Sequence, residues 1–200
     1  LGDTQRDWLI DLIDNFTEEA MVICIGTPWI NTSGTQDDWG ETGATNGERQ
    51  LIANAIERRR GRVLLVHGDA HMIAADDGTN SYYSSYGRST TGPSVLCAAP
   101  IDNTNSTKGG PYSEGTSAAD TNQYGVLAFT WTGGKVTAAF TGYDVDGASE
   151  ASVMTLNTTL QGEILGLGTA TTPTVTAAGV SGLAGQLEAS GTPAMDSPTA

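Results

Sequence analysis

The chain has 200 residues, enough for one domain with a packed core or for part of a larger one. Its 9 Lys and Arg against 23 Asp and Glu leave a net charge of −14. That balance excludes a nucleic-acid-binding or anionic-membrane surface, because each phosphate contact needs a cation. No apolar run approaches the roughly 18 residues of a membrane span. Cys24 and Cys97 are too few for a disulfide framework and sit in apolar runs, where they read as buried small hydrophobes.

The first expected element is a helix, with Thr4 as N-cap and Trp8, Leu9, Leu12 and Ile13 at helical spacing. A buried strand over 21–25 follows. Gly26-Thr27-Pro28 breaks it and opens a long polar loop carrying Trp29 and Asp37-Asp38-Trp39-Gly40. The second helix is predicted over 46–60, with Leu51, Ile52, Ala55 and Ile56 as its stripe and Gly61 as its stop. Val63-Leu64-Leu65-Val66 is a continuous apolar run, as in a strand covered on both faces. Helix, strand, helix, strand is the pattern of an α/β layer.

A polar loop over 76–93 then leads to a strand over 94–99, and a second loop spans 101–122. Apolar runs over 124–132 and 135–143 flank Gly133-Gly134, the signal of a two-residue hairpin. Beyond Gly147 no aromatic or basic residue occurs and small residues dominate. One more element is expected near 158–167. Residues 1–147 are therefore read as the folded part and 148–200 as a low-complexity, small-residue-rich tail or linker, whose stretch after Thr169 cannot bury enough apolar surface to order itself.

Both histidines flank one strand end, in Val66-His67-Gly68-Asp69-Ala70-His71. Gly68 permits a tight turn, Asp69 offers hard oxygens, and His71 offers a nitrogen that suits borderline metals. Two readings stay open: a pair of metal ligands, or a turn in which Asp69 caps backbone and His71 is solvated.

Five segments in order resemble the PhoD-like alkaline phosphatase family of metallophosphoesterases. They are Leu1-Gly2-Asp3-Thr4-Gln5-Arg6-Asp7-Trp8-Leu9; Thr27-Pro28-Trp29; Asp37-Asp38-Trp39 with Glu48-Arg49; the strand running into Gly68-Asp69-Ala70-His71; and the stretch from Gly125-Val126 to Tyr143. The resemblance covers about residues 1–147 and implies part of a four-layer α/β/β/α sandwich, its metal centre at the carboxyl ends of the strands. It implies Asp69 and His71 as metal ligands, iron and calcium as cofactors with zinc or manganese as alternatives, and hydrolysis of phosphate mono- or diesters. It also implies an extracellular or periplasmic setting. The family's remaining ligands lie in an amino-terminal half that this sequence does not contain. The chain opens at Leu1 without an initiator Met, so a preceding segment is expected, and the fragment alone is expected to be inactive.

His67 stands where the family has a small residue, and reads either as a support for the ligands or as a structural strand-end histidine. Asp38 and Trp39 read either as the rim of the site or as turn formers. Tyr82, with Tyr83 and Tyr86, reads either as pocket lining or as a surface patch. Asp144-Val145-Asp146-Gly147 lacks the later Glu of a calcium loop and reads as a turn. The alternative to an enzyme is a non-catalytic extracellular module that keeps the phosphoesterase scaffold.

Overall fold

A computed structural model describes residues 1–31, 39, 44–59, 61–118, 122–146 and 149–160. The first two elements are α1 (Asp3–Asn15) and β1 (Met21–Ile25), followed by α2 (Ala44–Arg58) and β2 (Val63–His67). Then come the strands β3 (Ile73–Asp76), β4 (Ser94–Ala98), β5 (Thr116–Ser117), β6 (Gln123–Thr132), β7 (Lys135–Asp146) and β8 (Ser149–Leu160). They form a five-stranded sheet in the order β1-β2-β4-β3-β5 and a three-stranded sheet in the order β6-β7-β8. β1, β2 and β4 run parallel, β3 and β5 antiparallel to their neighbours, and the smaller sheet is antiparallel throughout. The α/β class holds. Among the described residues there are three layers, and the fourth layer of the expected sandwich is not among them.

Strand alternation explains the layering. In β2, Val63 and Leu65 join one cluster with Ile52, Ala55 and Ile56 of α2, while Leu64 and Val66 join a second with Val136, Phe140 and Met154 of the smaller sheet. β4 divides in the same way, Val95 and Cys97 against Leu96 and Ala98. Burying both faces accounts for the unbroken apolar runs, each large side chain contributing about 1.5–3 kcal/mol. β1 is different: Met21, Ile23 and Ile25 pack toward the helices, but Val22 is 39% exposed. The smaller sheet does not reach over it. Cys24 shares that open face and is exposed, a correction to its expected burial.

α1 starts two residues earlier than expected, with Gly2 at φ 82 as the cap residue in place of Thr4 and no side-chain capping bond. Its buried stripe is narrower than the spacing predicts. Ile13 is buried, Leu9 and Ile10 pack partly, and Trp8 is 61% exposed. The basic residues at the end of α2 serve structure: Arg58 clasps Asp14 at 2.8 and 2.6 Å, Arg59 donates to the carbonyls of Asp14 and Phe16, and Arg62 to those of Thr17, Glu18 and Glu19. They satisfy carbonyls in the last turn of α1 and just after it, which are left without helical partners.

The hairpin forms as its glycines require, Gly133 and Gly134 standing at φ 58 and 75. β8 lies beyond residue 147, within the stretch read from composition as a tail. It pairs with β7 over its length and sets Met154 and Leu160 into the interface between the sheets. Its Thr and Ser residues satisfy a strand with one solvated face, so composition alone conceals it.

Candidate metal centre

The carboxyl ends of the parallel strands β1, β2 and β4 lie along one edge of the sheet, the place where open α/β sheets bind ligands. β2 ends at His67, and the chain leaves it through Gly68-Asp69-Ala70-His71. Asp69 stands at φ 63, a left-handed turn that Asp tolerates better than most residues. Ala70 and Met72 are buried behind the turn, which fixes its position.

His71 pairs with Ser106 as a two-way backbone bridge, N–H to carbonyl at 2.8 and 3.1 Å. Its ring Nδ1 lies 2.6 Å from the carbonyl oxygen of Thr104. A carbonyl only accepts, so Nδ1 carries the proton, and in the neutral ring Nε2 keeps its lone pair. Ligating histidines are held in this way, by a backbone carbonyl on the other nitrogen. Asn103 Nδ2 stands 3.5 Å from Nε2.

Asp69 Oδ2 accepts from Lys108 Nζ at 2.7 Å, with the two side chains 33% and 26% exposed. Its negative charge is felt by its neighbours. It is one of the influences raising the His67 and Cys97 pKa values, though at both sites burial dominates. His67 is buried and stacked on Tyr112 at 6.1 Å. Its Nδ1 lies 3.1 Å from the Gly68 carbonyl, and its Nε2 lies 3.3 Å from the Tyr112 hydroxyl. Burial holds its pKa below the ordinary imidazole range, so it is a neutral support for the turn.

Trp39 is buried against Trp29, with ring centroids 5.5 Å apart, in the cluster that also holds Tyr112 and Ile52. Tyr82 donates to Glu57 of α2 at 3.0 Å and accepts from the Gly87 N–H at 2.9 Å, pinning its loop to the helix. Asp38 lies outside the described residues. Sequence reasoning placed a loop here but missed that its residues Thr104, Ser106, Lys108 and Tyr112 meet the turn after β2. It also missed Asp76, a buried carboxylate that accepts from the backbone N–H groups of Gly78, Asn80 and Ser113 and from the Asn80 amide. Asp76 is fully engaged in holding loops. Asp69, by contrast, faces a mobile-chain ammonium at the edge.

The donor chemistry fits one side of a cation site, a carboxylate and an oriented imidazole. Among the described residues no group of three His, Cys, Asp or Glu side chains is gathered, so the fit is partial.

No family model and no curated protein matches the chain. A solved structure titled "Structure of PhoD" is similar over 83% of this chain, at 14% identity and a TM-score of 0.44. The chain spans 36% of that structure's length.

Proposed function

We propose that the chain contributes Asp69 and His71 to the metal site of a larger phosphoester hydrolase. The observation that carries this reading is the His71 ring, its Nδ1 committed to the Thr104 carbonyl at 2.6 Å beside Asp69 at the carboxyl edge of parallel strands. Asp69 would hold a metal through hard oxygens and His71 through Nε2. When bound, such ions lower the pKa of water, orient a phosphate and offset charge gathering on its oxygens. His67 stays neutral and keeps the turn in register, and the 99–115 loop fixes the imidazole tautomer. The remaining ligands come from outside the described residues. The family resemblance adds iron with calcium, a mono- or diester substrate and an exported setting to the proposal. Among the described residues, no helix is long and apolar enough to cross a membrane.

The test is hydrolysis of a chromogenic phosphoester by the whole protein, with and without chelator. Asp69→Asn, which tolerates the left-handed turn, and His71→Ala are each expected to lower turnover about a hundredfold or more while leaving the thermal midpoint close to wild type. Unimpaired turnover in both variants would overturn the assignment.

The Lys108–Asp69 ion pair favours a second reading, in which the carboxylate only clamps a loop on a non-catalytic scaffold. Under it, the same variants lower stability and bind no less metal than wild type.

A further inference from the structure

His67, Asp69 and His71 meet the 99–115 loop in reverse order. His67 contacts Tyr112, Asp69 contacts Lys108, and His71 contacts Ser106 and Thr104. The loop is thus a strap laid antiparallel along the turn after β2. It is anchored at a further point by the Gly110 N–H on the Ile30 carbonyl at 2.9 Å. Gly109, at φ 72, fits so closely that a Cβ there would stand 2.4 Å from the Ile30 oxygen. Backbone holds the strap on both sides of Lys108, and between those anchors the Lys108 ammonium reaches Asp69 at 2.7 Å. Lys108 is one of two lysines in a chain of net charge −14, and its ammonium lies on the carboxylate that the candidate centre needs.

We infer that Lys108 is a resident counter-cation of the centre, which a divalent metal must displace from Asp69, so that metal uptake unlatches the 104–112 strap. This rests on the proposed metal site and adds its regulation. A divalent ion and an ammonium on one carboxylate repel at close range, and the Lys108 side chain, 26% exposed, has a path to solvent. The Lys108 stem is flexible enough to swing away, while the backbone bridges at Ser106 and Gly110 keep the strap tethered. Without metal, the lysine keeps Asp69 from facing the edge as an isolated charge.

The experiment is a titration of the metal-stripped whole protein with Mn²⁺, reading free ion by electron paramagnetic resonance. Amide exchange over 104–112 is followed in parallel. Lys108→Met is expected to bind Mn²⁺ about three- to tenfold more tightly than wild type, because an ion pair of this exposure no longer competes. Lys108→Arg, which keeps the charge, is expected to stay near wild type. Mn²⁺ is expected to speed strap exchange in wild type, and Lys108→Met to exchange quickly already without metal. Equal or weaker Mn²⁺ binding by Lys108→Met, or strap exchange indifferent to Mn²⁺, overturns the inference while the metal site stands. Should Lys108→Met fold poorly, Lys108→Gln makes the same comparison. If wild type and all variants take up no Mn²⁺, or His71→Ala takes up as much as wild type, the metal site itself fails.

Discussion

In the five-stranded sheet, β2, β3 and β4 bury side chains on both faces, whereas the three-stranded sheet buries one face and leaves the other to solvent. Where both faces are filled, no position within a strand is open to a ligand, so polar chemistry is displaced to the strand ends, as at 67–71. The smaller sheet has room for polar residues along its strands, and its solvent face mixes Thr130, Thr137 and Thr141 with the stacked Tyr124 and Tyr143, the former bonded to Glu150. Its contribution is closeness. Gly125 and Gly142 let it sit down on Ala98 and Ile73, since a Cβ at either place would meet those side chains at 2.6 and 2.4 Å.

The contrast can be broken first at Phe140, which is buried between the sheets. Phe140→Ala is expected to remove about 3–5 kcal/mol of stability in denaturant unfolding. A loss under about 1 kcal/mol would mean that the sheets do not pack through it. Gly142→Ala is expected to cost about 1–3 kcal/mol by overpacking against Ile73. Gly26→Ala is the control: its Cβ meets nothing within 4 Å, and the midpoint should barely move.

The smallest effect sharpens the comparison through the two thiols. Cys97, in the doubly covered sheet, is pushed up to about 12 by burial and secondarily by the Asp69 charge, whereas Cys24 is exposed on uncovered β1. A thiol reagent at pH 8 is expected to modify one thiol per native chain, Cys24, and both after unfolding. The Cys97 pKa is raised in the fold, so its contribution to stability is whole below the ordinary thiol value of 9.0 and declines as pH rises from there toward about 12. The slope is at most about 1.4 kcal/mol per pH unit, and Cys97→Ala should remove it. A wild-type alkaline slope identical to that of the variant would show Cys97 to be open to water.

Much of this arrangement is legible in the residues that act locally. The run Val63-Leu64-Leu65-Val66 announces a strand covered twice, and Gly133-Gly134 announces the hairpin, because burial and turn chemistry act over a few positions. β3 is not legible, since its short apolar stretch gains strand character only by pairing with β4. β8 is hidden by Thr and Ser, which say little until a partner strand assigns their faces. At the site, the alternation of His67, Asp69 and His71 is visible. Lys108 and Tyr112 are not, being 39 and 45 positions from their partners. Trp39 and Tyr82 stand out as aromatic residues in polar loops, and the contacts they make, with Trp29 and with Glu57 of α2, join positions too far apart in sequence to be read from it.

The φ of 63 at Asp69 narrows what can occupy that position. Asparagine can replace it with little backbone penalty and would exchange a charge for an amide. A β-branched residue would clash with its own carbonyl there. Drift at this position is therefore steered between an anionic version and a neutral version of one unchanged loop.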